Sequence, residues 1–389
     1  YLPAGEYMIT GSLTIPPRVA LVGDWNDPDT MQGDAYGTVI LANVPSRDTK
    51  EGGLFHLGGS GGVVGLTVYY PNQSLTAVKP YPAVFYTDGR GGNYMLSTVK
   101  NCTVINGYRG IGACCHTVNS NAHEQLTIEN LKGTFLYTAA EVYNQADVGP
   151  WENAVVSGRY WANAKGRFMR SVDANAVNAY TDANTVGMML GDLEWTEFSG
   201  LTIEHCNVGL KIVKGQRIQF AGSLYNTSIT NCSTGILVED LDPRWGMLIA
   251  NSVVDNGIQN GTKGLVKMVN VTTTGKSSSG TVELKEESQI ETVALPKVTI
   301  HKPQSHLTVA NLPKDGKTDV SAALQGLLNE MPSSGGILYF PAGAYRLDQP
   351  ITVPAAVQLR GNAAVATRGF DGNGKGTVIL AYYGDDLDE

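Results

Sequence analysis

Short runs of alternating apolar and polar residues, each closed by Asn or Gly, recur along residues 62–275. STVKNCTVINGYRGI (97–111), SGLTIEHCNVGLKI (199–212), NTSITNCSTGILV (226–238) and IANSVVDNGI (249–258) share one plan. Each has an alternating strand, then a polar residue before Cys (Val-Asp in the last), then Gly and another apolar residue. Alternation marks half-buried strands, and Asn and Gly place the corners. Cys102, Cys206 and Cys232 occupy the same place in their units. The spacing, often roughly two to three dozen residues, is that of stacked repeats. Like falling on like predicts an all-β solenoid in which each coil covers its neighbour's open edge. A sandwich of short strands is the competing arrangement, but it would not repeat like on like at this period.

A second repeat frames the chain. YLPAGEYMITGSLTIPPRVALVG (1–23) and YFPAGAYRLDQPITVPAAVQLRG (339–361) align Pro3 with Pro341, Gly5 with Gly343, Tyr7 with Tyr345, Pro16 with Pro354, Leu21 with Leu359 and Gly23 with Gly361. GTVILA then recurs at 37–42 and 376–381. Pro-Ala-Gly-x-Tyr reads as a turn, with Pro holding φ and Gly free to take positive φ. Two copies of one opening module predict a first domain over 1–275, a linker over 276–310 and the opening of a second solenoid over 311–389. The linker is rich in Ser, Glu and Lys. Within 311–330 lies one helix, with Asp319 as N-cap and Ala322, Ala323, Leu324, Leu327 and Leu328 as its apolar stripe; it is expected to close the open end of the second solenoid. The chain opens inside its own first repeat, so its natural start is expected upstream.

Composition narrows the partners. The 389 residues carry a net charge of −8, which argues against nucleic acid, whose phosphates need clustered Lys and Arg. No apolar run approaches a membrane span, and a monomer is expected, since no heptads are present. Five cysteines are odd in number, and the adjacent Cys114 and Cys115 lack zinc spacing; free, buried thiols are the reading. No nucleotide, haem or flavin motif is visible, the six His lack ligand spacing, and no cofactor is expected. Asp24, Asp27, Asp29 and Asp34 resemble a calcium loop, but the corresponding loop of the second copy has lost most of its acids, so a solvated turn is expected rather than a metal site.

The combination DGKTDVSAALQ, GGILYFPAGAYRL and VPAAVQLRG resembles the opening of the pectate-lyase superfamily domain, found in glycoside hydrolase family 28-related proteins and family 55 exo-β-1,3-glucanases. The resemblance implies right-handed parallel β-helices, and the two copies are similar to the tandem layout of family 55, with a cleft between two helices. It covers the opening modules at both ends. In family 55 the second helix supplies the general-acid Glu, and this chain stops at Glu389, where the family would continue for several coils.

Residues 136–197 break the coil pattern and collect Glu141, Asn144, Gln145, Asp147, Trp151, Glu152, Tyr160 and Trp161, then Asp192, Glu194, Trp195 and Glu197. EDLDPRWG adds Asp240, Asp242 and Trp245. Glycoside hydrolysis needs a carboxylic acid on the leaving oxygen and usually a second carboxylate to activate water. Glu194 and Glu197 are the first candidates, followed by Asp192 and Asp147. An apolar neighbour such as Trp195 raises a Glu pKa, as a general acid requires. Alternation places Asp192, Glu194 and Thr196 on one strand face and Glu197 on the other, so the two glutamates need a turn between them to converge. Family 55 holds its attacking water with a Gln from its first helix, and Gln145 is a candidate for that place by its region, not by a family motif. Trp151, Trp195, Tyr160 and Trp161 are candidates for stacking on sugar rings, against the alternative of packing in the core. A lyase would want Arg or Lys near an acid, as with Arg159, Lys165, Arg167 and Arg170 after Asp147. A binding or structural role is the third reading. The expectation is a secreted or cell-surface protein with a polysaccharide or oligosaccharide substrate.

Overall fold

Asn or Gly at the corners lets the chain turn after each short strand, and the turns bring each strand back beside the third one after it. In the computed structural model, which describes residues 1–33, 35–88, 95–114, 123–147, 149–215, 218–285, 307–361 and 376–383, Gly5–Ile9 pairs with Thr38–Ala42, Leu13–Ile15 with Gly53–Leu57, and Ala20–Val22 with Gly62–Val64, all in parallel. This parallel stacking runs on to Val282–Lys285. The chain is all-β with parallel strands, and the pairing fits a solenoid of three strands per turn. It divides into two compact units, Tyr1–Ile290 and Glu291–Glu389. Asp34, Cys115, residues 286–306 of the expected linker, most of the second copy's loop and Glu389 lie outside the described residues.

Parallel register stacks equivalent side chains into ladders. One runs Val63, Val99, Ile128, Trp151, Phe198, Leu224, Ile249 and Met268, and every rung is buried. A second runs Phe55, Phe85, Ile111, Ala140, Met188, Leu210, Ile236 and Ile258, also buried. The polar residue before each Cys is the corner: Asn101, His205 and Asn231 take φ of 52°, 56° and 55°, and Asn256 takes 56° in the fourth unit. Asn tolerates this conformation because its short polar side chain can hydrogen-bond nearby backbone; that of Asn256 reaches across to the preceding coil, where Nδ2 donates to the Cys232 carbonyl at 2.6 Å. Each thiol then turns inward and donates to the carbonyl two residues back, at 3.4 Å for Cys102, 3.7 Å for Cys206 and 3.4 Å for Cys232. Cys206 and Cys232 lie on consecutive coils, two residues past the paired Glu204 and Thr230. Cys102 stands in register with Leu131 instead.

The two opening modules fold alike. Gly5 and Gly343 take φ of 153° and 150°, a region where a Cβ is costly. They start strands that pair with Thr38–Ala42 and Thr377–Ala381 in the same register. The Tyr7 hydroxyl donates to the Pro3 carbonyl at 3.0 Å and that of Tyr345 to Pro341 at 2.8 Å. Thr38 and Thr377 likewise donate to the carbonyl before each proline, at 2.9 and 2.8 Å.

The helix of the second unit spans Ser321–Asn329 and packs Leu324 and Leu328 against Leu338, Phe340 and Tyr345. Ala322 and Ala323 are exposed rather than part of the stripe. Asp319 is not the N-cap. Val320 occupies that position, and the Asp319 carboxylate, one residue earlier, accepts from the Ser321 amide at 2.9 Å and its hydroxyl at 2.5 Å.

One corner of the first unit is polar inside. Ser97, His123, Gln145 and Thr196 are all fully buried. His123 Nε2 lies 3.1 Å from Ser97 Oγ, His123 pairs with Gln145, and Gln145 Nε2 donates to Thr196 Oγ1 at 3.2 Å. Burial lowers the His123 pKa from 6.5 to about 4, because an imidazolium taken out of water loses its hydration. The unfolded chain therefore takes up a proton below pH 6.5 that the fold refuses until about pH 4. Stability is expected to fall as pH drops through that window, by about 3 kcal/mol in all. Urea unfolding at pH 7 and pH 4.5 checks it: His123→Gln should lose markedly less stability than the wild type, and equal losses would remove His123 as the cause.

Candidate functional site

The strand Glu194–Ser199 carries an irregularity. Trp195 has φ of 53°, and the register against the next coil slips between Glu194 and Thr196, as a β-bulge does when one extra residue enters a strand. The extra residue turns Trp195 outward while Thr196 and Phe198 point into the core. Glu194 remains half-buried beside it. Glu197 faces solvent in a row with Ser223, Leu248 and Lys267 of successive coils. The bulge changes the faces without bringing the two glutamates together on one cleft.

What it does bring together is Glu194 with the loop before Met247. Trp195 and Trp245 are 49% and 62% exposed, and their rings meet edge to face, 6.0 Å apart at 86°. Glu194 and the two tryptophans bound a narrow lobe of about 40 Å³. It shares Ile218, Gln219, Asp242 and Arg244 with a wider lobe of about 520 Å³ that reaches Lys214 and Asp240. Asp242 is buried and accepts from the Arg244 amide at 2.7 Å, Nε at 3.1 Å and a terminal guanidinium nitrogen at 2.7 Å. Those bonds from Arg244 hold its carboxyl below the usual range against the opposing effect of burial. Asp240 accepts from Gln219 Nε2 at 2.6 Å. The cleft thus offers two open aromatic rings, an ionised carboxylate and a second carboxyl group on a rigid strand.

Residues 310–382 match the family described as Rhamnogalacturonase A/epimerase, pectate lyase-like. The match lies in the second unit and spans its opening module, so the pectate-lyase-like resemblance holds there, and residues 1–23 repeat that module in the first unit. The Trp195–Trp245 cleft lies outside the matched residues. No curated protein matches the chain.

The other candidates are placed elsewhere. Asp192 and Gln145 are fully buried. The Gln145 amide donates to the Asp192 carbonyl at 2.7 Å, and the Asp192 carboxylate fills the space a side chain at Gly215 would need, 1.6 Å from a Cβ built there. Asp147 is exposed in a turn with φ of 58° and borders neither lobe. Trp151 is a ladder rung, 1% exposed, with its ring 5.3 Å from that of Phe198. Trp161 lies in a short helix, Arg159–Ala162, which with Ala174–Asn184 packs on the outer side of the coils. There it forms a second small core with Tyr69, Ile105, Leu136 and Val177. Within 136–197 the coil strands therefore continue, Trp151 among them, on either side of a packed helical insertion that carries Trp161, and neither the Trp151 nor the Trp161 ring has an open face for a sugar.

Tyr160 is buried and donates to Asp29 at 3.1 Å. Two acids of the calcium-like loop are engaged by cations: Lys132 Nζ lies 2.6 Å from Asp27 and 2.7 Å from Asp29, and Arg159 lies 3.2 Å from Asp29 and also 3.0 Å from Glu204, while Asp24 accepts from the Tyr1 hydroxyl at 2.6 Å and the Ala4 amide at 2.9 Å. Burial raises the Asp29 pKa, but the bond and charge of Lys132 outweigh it and hold the carboxyl low. Among the described residues, no group of three or more His, Cys, Asp or Glu is arranged to hold a metal ion. Reading the sequence missed Lys214, Gln219 and Arg244; the only signal was Arg244 beside Trp245.

Proposed function

We propose that the chain is a carbohydrate-active protein that binds a polysaccharide between Trp195 and Trp245 and hydrolyses its glycosidic bond, with inversion. The observation that carries this reading is the pair of exposed tryptophans beside Glu194 and Asp242. Flat, open aromatic rings suit stacking on sugar faces. Half-buried Glu194 against Trp195 is placed to protonate the leaving oxygen, and Asp242, kept ionised by Arg244, is the carboxylate to activate water or stabilise positive charge on the sugar. Parallel pairing in both units and the like-folded opening modules support right-handed parallel β-helices in a tandem layout similar to family 55. A polymeric substrate favours a secreted or cell-surface site of action, and the named cleft residues all belong to the first unit, which favours a monomer.

The test is a panel of β-1,3-glucan, pectin, alginate and xylan, read for reducing ends and for the ultraviolet absorbance of unsaturated uronates. Reducing ends without absorbance are expected, and the anomer first released, followed by NMR, reports inversion. Trp245→Ala should raise KM about 5–10-fold on the cleaved substrate. Absorbance would replace hydrolysis by a lyase reaction. Saturable binding without either product would leave a glycan-binding module.

A further inference from the structure

A separate cavity of about 190 Å³ lies between the turn at Gly11 and the loops around residues 44–47 and 82. It shares no residue with the Trp195–Trp245 cleft. Val44, Pro45, Leu54 and Pro82 give it apolar walls. Ser12, Ser46, Arg47 and Tyr70 supply its polar side chains, and the last two decide what it can hold. Tyr70 is 1% exposed. Its backbone is tied to Asn106, donating to Oδ1 at 2.8 Å and accepting from Nδ2 at 3.0 Å, and its ring leans on Tyr81 at 4.5 Å. The group left for the cavity is the phenol, whose hydroxyl makes no hydrogen bond among the described residues. Arg47, at the exposed rim, donates its backbone amide to the Pro80 carbonyl at 2.8 Å, while its guanidinium forms no ion pair or hydrogen bond among the described residues.

The Tyr70 hydroxyl can donate to a ligand oxygen placed in the cavity, and a small, largely apolar hollow with a few polar groups is the usual form of a small-molecule site. Burial, with a smaller push from Tyr81, raises the Tyr70 pKa well above its ordinary value, so the phenol stays a donor. Arg47 and Tyr70 thus both offer donors, one of them cationic, and the walls accept an apolar ring.

We propose that this cavity binds a small aromatic carboxylate, its ring against Val44, Pro45, Leu54 and Pro82 and its oxygens accepting from Arg47 and Tyr70. The guanidinium selects for the anion, and the phenol is satisfied when the site fills.

Benzoate is the probe and benzamide its uncharged counterpart, with binding to the full chain followed by ligand-observed NMR at millimolar concentration. Benzoate is expected to bind more tightly than benzamide. Arg47→Met should weaken benzoate by about 5-fold or more and leave benzamide unchanged, since charge-assisted bonds are stronger than neutral ones. Tyr70→Phe should weaken both by about 5-fold. Gly11→Leu should abolish both without lowering the melting temperature, because a Cβ at Gly11 meets nothing within 4 Å. Arg47 and Gly11 are exposed, so these two variants keep the test open even if Tyr70→Phe does not fold. No benzoate binding to the wild type, equal binding of the two probes, or binding that survives Gly11→Leu would overturn the proposal.

Discussion

Glu194→Gln is expected to lower kcat on the cleaved polysaccharide by about 10²–10⁴-fold, the usual contribution of a positioned general acid. Gln keeps the shape and the hydrogen-bonding capacity of the side chain but cannot give up a proton, so KM and the urea midpoint should stay close to wild type. The neighbouring geometry makes the outcome diagnostic. Glu197 is one turn of alternation further on, faces solvent and borders neither lobe, so Glu197→Gln should change kcat less than 2-fold or so, as surface substitutions away from a site do. A substrate with an activated leaving group needs little protonation, so it should recover much of the lost rate in Glu194→Gln. If Glu194→Gln retains full activity while Glu197→Gln abolishes it, the cleft is not the catalytic centre, and the outward row with Ser223, Leu248 and Lys267 takes its place.

Trp151→Ala is expected to destabilise the first unit by about 3–5 kcal/mol, the range for removing a large aromatic side chain from a core. Trp151 is a rung between Ile128 and Phe198, among the largest fully buried side chains of the chain. Its loss leaves a cavity that rigid coils above and below cannot close. Urea unfolding followed by far-UV circular dichroism measures the effect. Trp195→Ala, on an exposed ring, is the control and should shift stability by no more than about 0.5 kcal/mol. Equal, small effects at the two positions would mean that Trp151 is not the packed rung described.

The contrast between these tryptophans marks how far the chain can be read without coordinates. Trp151 and Trp195 both sit next to a glutamate in unusual stretches, and nothing local separates them. One falls in register with a core ladder and the other on a bulge. Register depends on how many residues each intervening corner and insertion uses, which is summed over the whole chain. The same holds for Glu194: alternation alone sets it on the face of Thr196, and a single extra residue at Trp195 with positive φ cancels that assignment. Asp192 and Gln145 carried the right chemistry for a site but lie buried at a corner.

From sequence alone came the features written in short-range chemistry. Alternation predicted strands, Asn and Gly predicted corners, and the repeated Pro-Ala-Gly-x-Tyr string predicted two copies of one module, which the structure shows sharing registers and the Tyr-to-Pro hydrogen bond. Each depends on a few neighbouring residues and a backbone conformation that few side chains tolerate. Only the tertiary structure decided that the loop acids Asp27 and Asp29 meet Lys132, more than a hundred residues away, that the insertion holds its own core, and that Trp195 and Trp245 from different coils share one cleft with Glu194 and Asp242. Those contacts join residues that no local pattern links, and they exist because stacking coils set distant segments side by side.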